Sequence, residues 1–236
     1  MCTLILAWRV FEGTPIAAAA NRDEALGRPS RPPGVIDSEP EVVAPRDEEA
    51  GGTWIGYNDA GLFVAVTNRR AEVEGGRSRG LLVRDALARE SAREAVSFVR
   101  SELAGTDYAG FNLVVADADD AALLAWDGVL RETRFDPGVH VVVNEGHDAD
   151  APKAERIREA VRPDPETDAE EWFERAGAVL RDHDLDACVH GEAFGTRSSS
   201  LVAIDADRGG RYWFAEGRPC ETDYEAVAVG GEDGHI

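Results

Sequence analysis

Lysine occurs once in the 236 residues, at Lys153, and cysteine three times, at Cys2, Cys188 and Cys220. Three thiols with neither an even count nor a Cys-x-x-Cys pair argue against a disulfide framework and a paired zinc site, so free thiols are expected. No apolar run approaches the roughly 18 residues of a membrane-spanning helix. The N-terminus lacks the basic stretch, apolar core and small-residue cleavage site of a secretory signal, and a cytoplasmic location is expected. No Gly-x-Gly-x-x-Gly follows a strand pattern, so no dinucleotide or phosphate loop is indicated. Neither a metal nor a cofactor is expected.

Acid is abundant. Asp and Glu number 46 against 25 Lys and Arg, a formal net charge of −21. Such a surface repels nucleic-acid phosphates and anionic headgroups, so neither is an expected partner. The acids are scattered in short runs such as DEEA and DADD, which suits solvation in a very salty cytosol better than one face built for a cationic partner. Apolar residues make up 43% of the chain and are spread along it, so one globular domain over 1–236 is expected.

The pattern along the chain runs strands, helices, strands, helices, strands. CTLILAWRV and PIAAAANRD read as an opening hairpin around Gly13 and Thr14. From Ala25 to Gly52, Pro, Arg and acids suggest a surface excursion with one strand at EVVAP. TWIGYNDAGLFVAVTN predicts a second hairpin. SRGLLVRDALARE and SAREAVSFVRSELAG have helical spacing, the second with Ser91 as N-cap. FNLVVADA, AALLAWDG, LRETRF and HVVVN predict an antiparallel meander, APKAERIREAVRP and DAEEWFERAGAVLRDH two helices, and TRSSSLVAID with GRYWFAEG a last hairpin. Short turns between successive strands imply antiparallel, layered sheets with helices outside.

Cys2 has two readings. It is a small apolar residue at the head of a strand; or, once an aminopeptidase removes Met1, it carries a thiol and a free α-amine on one residue. An α-amine titrates at about 7.7–8.0, so at neutral pH it is a built-in base for the adjacent thiol. A hairpin that starts here returns its second strand beside the first, which brings Arg22 and Asp23 toward Cys2. The Arg can lower the thiol pKa and hold an anionic group, and the Asp can orient the amine; an exposed charge pair at a hairpin end is the plainer alternative. Cys188 and His190 in CVHGE could form a catalytic or metal pair, but at i and i+2 without a further ligand nearby they read as structural or loop residues, and His147, Asp148 and Asp150 read as a solvated loop. Trp54, Trp126, Trp172 and Trp213 read as core aromatics, with Trp54 close in sequence to the candidate site.

MCTLILAW, NRDE (Asn21, Arg22, Asp23, Glu24), GGTWIGYNDAGLFVAVTN and FGTRSSS occur in that order, and together they resemble the NRDE family, which includes the eukaryotic transport and Golgi organization proteins. The family is grouped with the N-terminal nucleophile hydrolases and is similar to the cysteine acylases that cleave penicillin V and conjugated bile salts. The resemblance implies an α+β fold, a four-layer αββα sandwich of two mainly antiparallel sheets. It implies Cys2 as nucleophile, Arg22 beside the thiol and Asp23 as partner of the α-amine. It also implies Asn68 as an oxyanion donor, Asn144 as a second site asparagine and Arg197 as a late-strand arginine, and Arg22, Trp54 and Arg197 are the expected substrate-binding residues. Strand termination is the plain alternative for both asparagines. The family usually shows a Pro-Trp-Pro-Lys-like stretch after Asn144, whereas only Pro152 and Lys153 are kept here; an aromatic is more usual than Arg69. The implied activity is hydrolysis of a small amide through an acyl-enzyme at Cys2. The alternative is a binding or trafficking protein for haem or an acyl lipid on the same fold.

Overall fold

The computed structural model describes residues 2–228; Met1, on whose removal the N-terminal nucleophile reading depends, lies outside them. The opening hairpin pairs β1 (Thr3–Phe11) with β2 (Thr14–Ala25) across Gly13, whose φ of 81° suits a residue without Cβ. The expected surface excursion is instead two paired strands, β3 (Ser30–Ser38) and β4 (Glu41–Asp47), of which only the second coincides with EVVAP. β3 is an edge strand carrying Pro32 and Pro33, and its register against β4 slips twice, so no alternation of apolar and polar residues marks it in the sequence.

β5 (Ile55–Asn58) and β6 (Phe63–Asn68) form the second hairpin. Two helices follow, α1 (Arg79–Leu87) and α2 (Ala92–Glu102), and Ser91 caps the second by accepting the Glu94 N–H at 3.3 Å. β7 (Phe111–Ala116), β8 (Ala121–Trp126) and β9 (Leu130–Arg134) make a meander. The fourth expected member, β10 (Gly138–Val143), leaves it and pairs with β1 in the other sheet. A crossover between sheets has no local sequence mark, because the partner strand lies more than a hundred residues away. The helices α3 (Pro152–Ala160) and α4 (Ala169–Leu180), the hairpin β11 (Phe194–Ile204) and β12 (Gly210–Ala215), and the short β13 (Glu225–Ala226) complete the described chain.

The two antiparallel sheets have strand orders β10-β1-β2-β11-β12-β13 and β3-β4-β5-β6-β7-β8-β9. Side chains alternate across each strand, and here both faces are covered. Leu4, Leu6 and Trp8 enter a core between the sheets with Ile55, Phe63 and Val114, while Ile5 and Ala7 face α3 and α4 beside Ile157 and Trp172. Leu62, Val64 and Leu113 meet α1 and α2 on the far side. The result is a four-layer αββα sandwich, and double coverage explains why β1 and β2 read as nearly continuous apolar runs.

Candidate active site

Strand register brings the site together at one end of the sandwich. Thr3 lies opposite Asn21 on β2 and opposite Val143 on β10, so Cys2, one residue earlier, falls beside Arg22 and beside Asn144. The Cys2 backbone N–H donates to Asn144 Oδ1 at 2.7 Å, and Asn144 Nδ2 donates to the Asn68 carbonyl at 2.5 Å. Asn144 therefore ties the head of β1 to the end of β6 in the facing sheet. The junction is reinforced one residue back, where Asn112 Nδ2 donates to the Val143 carbonyl at 2.9 Å.

A cleft of about 320 Å³ opens over Cys2; Arg22, Asp23, Trp54, Asn68 and Arg79 are among the residues on its walls. Arg22 lies with its guanidinium carbon 4.1 Å from the centre of the Trp54 ring, a cation–π contact, and its Nη2 is 3.0 Å from Asp47 Oδ2. Its Nη1 is buried and has no hydrogen-bond partner among the described residues. Asp23 Oδ1 accepts from Thr196 Oγ1 at 2.6 Å, across the pairing of β2 with β11. Burial pushes the Cys2 thiol above its usual pKa and the Asp23 carboxylate adds to the rise, against a contact of Sγ with the Asp23 carbonyl and the nearby Arg22 charge. Burial also raises Asp23, opposed in part by the Thr196 hydroxyl and by Lys153. A thiol held protonated in this way needs a base to become a nucleophile.

Arg79 stands at the first turn of α1. Its placement depends on a close approach of two backbones: a Cβ on Gly52 would lie 2.1 Å from the Gly80 carbonyl carbon, and Thr53 N–H donates to Gly80 O at 3.0 Å. Arg79 Nη1 donates to the Gly110 carbonyl at 2.8 Å, and no carboxylate lies within ion-pair distance among the described residues. By contrast Arg28 on the same cleft is paired with Asp47, and Arg77 with Asp85 and Glu102.

A family model described as Transport and Golgi organisation 2 matches residues 1–218. The chain belongs to this family. It is 29% identical over 229 residues to the Bos taurus transport and Golgi organization protein 2 homolog, covering 80% of this chain and 82% of the relative. Its fold is similar to that of penicillin V acylase from Agrobacterium tumefaciens, with a TM-score of 0.58, 15% identity, and 92% and 83% of the two chains covered. A mutant conjugated bile acid hydrolase from Clostridium perfringens gives 0.57 at 13% identity, covering 96% of this chain and 92% of that one. The sandwich is thus the fold of N-terminal nucleophile acylases.

In this member of the transport and Golgi organisation family, Cys2, Arg22, Asp23, Trp54 and Asn68 share one cleft, and Asn144 holds its base. Arg197 does not line it: it sits where the β2–β11 register shifts between Thr196 and Ser198, and its Nη2 donates to the Arg28 carbonyl at 3.3 Å. Sequence reasoning missed Asp47, Arg79 and Thr196, which arrive from three different segments; only Thr196 had a cue, standing beside Arg197 in the quoted FGTRSSS motif. Lys153 donates to the Asp186 carbonyl at 2.8 Å, and its charge acts on both Asp23 and Cys2. Arg69, where the family more often has an aromatic, bonds Asn112 Oδ1 at 3.3 Å and faces Asp127 at 3.5 Å.

Asp148 departs from the expected solvated loop. Its carboxylate accepts from the Val141 N–H at 2.7 Å and meets His140 Nδ1 at 2.8 Å, closing the end of β10.

Proposed function

We propose that this protein is an amide hydrolase that uses Cys2 as nucleophile after removal of Met1. The observation that carries the reading is the convergence of Cys2, Arg22, Asp23 and Asn68 on one cleft, with the Cys2 nitrogen fixed by Asn144 at 2.7 Å. In the processed chain that nitrogen is the α-amine. It takes the thiol proton, and Sγ adds to the amide carbonyl carbon. Asn68, whose side chain lines the cleft and makes no hydrogen bond among the described residues, donates to the developing oxyanion. Collapse breaks the C–N bond, the ammonium gives its proton to the leaving amine, and a thioester remains on Cys2. Water, deprotonated by the same amine, cleaves the thioester to the free acid and restores the thiol.

Arg79 supports a finer reading. An arginine on the cleft wall without a carboxylate partner favours an amide that carries an anionic group, held by charge-assisted hydrogen bonds. The guanidinium and carboxylate lining supports a small polar substrate over the haem or acyl-lipid ligand of the alternative reading. The test is turnover of a panel of N-acyl amino acids by the protein and by Cys2→Ala. Hydrolysis abolished in the variant supports the reading, and equal hydrolysis by both overturns it.

A further inference from the structure

The loop after α4 and the turn after β12 bring together four side chains, of which only Cys188 and His190 stood out as a pair in the sequence. One ligand atom from each of His183, Cys188, His190 and Cys220 lies within 4.8 Å of all the others. The two sulfurs are 3.4 Å apart, and His190 Nε2 is 3.1 Å from Cys220 Sγ. Bonds of about 2.3 Å to sulfur and 2.0–2.1 Å to nitrogen give a tetrahedral zinc site ligand-to-ligand edges of roughly 3.3–3.8 Å. The two closest contacts already lie near that range, and the widest exceeds it by only about 1 Å.

We propose that His183, Cys188, His190 and Cys220 bind one Zn²⁺ in a closed tetrahedral site that clamps the loop before β11 to the segment after β12. The donor set selects the metal: two thiolates and two imidazoles suit zinc and are poor ligands for magnesium or calcium. One outer contact orients a ring: His183 Nδ1 lies 3.0 Å from the Cys188 carbonyl, where its N–H donates and leaves Nε2 for the metal. The Glu221 carboxylate stands 3.9 Å from the outer nitrogen of His190, near it without a hydrogen bond. Four protein ligands leave no open position, so the metal is structural and does not bind substrate. Its binding displaces the two thiol protons.

The clamp reaches the cleft through one residue. Val189, between two of the ligands, donates its N–H to Thr196 Oγ1 at 2.8 Å and accepts the Thr196 N–H at 2.9 Å. The same hydroxyl donates to Asp23 Oδ1. Fixing Cys188 and His190 therefore fixes the hydroxyl that holds Asp23, a positioning role that stands whether or not Cys2 is a nucleophile.

The experiment is metal analysis of the full chain, purified under reducing conditions without chelator, then stripped and reloaded with Zn²⁺ or Co²⁺. The expected result is one equivalent of zinc, and with cobalt the visible bands of a tetrahedral ion plus a thiolate charge-transfer band. Cys188→Ser and Cys220→Ser lose both, and His190→Ala, at an exposed position, weakens zinc binding at least about tenfold while its circular dichroism stays native. Absence of stoichiometric zinc after reloading overturns the proposal, as does unchanged zinc affinity in His190→Ala. So does a Cys188–Cys220 disulfide that peptide mapping finds in the metal-free protein as isolated and that reduction does not convert to a zinc-binding form.

Discussion

Replacing Asp47 by alanine removes the anion that holds the arginine wall of the cleft. Its side chain is 8% exposed and that of Arg22 is 6% exposed, with 3.0 Å between Oδ2 and Nη2. Oδ2 also accepts from Arg28 Nε at 2.6 Å, and Oδ1 accepts the N–H groups of Glu49 and Ala50 at 3.1 and 2.9 Å. Truncation leaves the buried Arg22 charge with Glu24 Oε2, at 4.0 Å, as its remaining counter-charge, so the loss is expected near or below the lower end of the about 3–5 kcal/mol that breaking a buried pair costs. Arg28, more exposed, and the two turn amides recover hydrogen bonds to water and add little. Denaturant unfolding at pH 7 is expected to show that loss with an unchanged m-value. Burial raises the Asp47 pKa, but the hydrogen bonds from Arg28 and the Ala50 amide outweigh it and the net shift is downward. Its contribution is therefore present above the ordinary carboxylate pKa near 3.8 and is lost as pH falls through the lowered folded value. The stabilities of the protein and of Asp47→Ala converge in acid, below about pH 4. A difference under about 1 kcal/mol at pH 7, or one that persists unchanged in acid, refutes the reasoning.

Asn68→Ala lowers kcat by about 10²–10³ with little change in KM, since the amide acts on the oxyanion and not on bound substrate; steady-state kinetics on a cleaved amide check it. Arg79→Ala raises KM for an anionic amide at least about tenfold and leaves a neutral analogue nearly untouched, and equal effects on both would remove Arg79 from substrate binding. Burial lowers the His140 pKa, but the Asp148 carboxylate and the Asp136 carbonyl raise it further, for a net rise above 6.5. Its contribution to stability is complete below about 6.5 and lost as pH rises through the folded value, so the thermal midpoint drops across that window and His140→Gln flattens the drop.

Much of this site was legible because hairpins are local. The turn at Gly13 returns β2 beside β1 and so brings Arg22 and Asp23 to the head of β1, whereas the shift between Trp8 and Phe11 that sets Cys2 beside Arg22 and not Asp23 left no mark in the sequence. Asn68 stood at the end of a recognisable hairpin strand. Asp47 and Arg79 were not legible, because β4 and α1 reach the cleft through sheet order and helix packing that leave no spacing signal, and Thr196, which meets Asp23 from β11, was marked only by its place in FGTRSSS. Cys188 and His190 read as lacking a further ligand, yet His183 stands in the loop after α4, five residues before Cys188, and Cys220 comes from beyond β12. β3 was missed because an exposed edge strand with prolines shows no period of two, and β10 was placed in the wrong sheet because chain proximity favoured the meander.

The central claim is that the Cys2 thiol, with its own α-amine, forms an acyl-enzyme. Intact-mass analysis of the purified full chain, before and after an activated N-acyl amino acid, tests it most directly. The account predicts a mass lacking Met1 and a single acyl adduct that maps to Cys2, is lost on hydrolysis and is absent in Cys2→Ala. Retained Met1 on protein that hydrolyses the amide, or an adduct undiminished in Cys2→Ala, contradicts it.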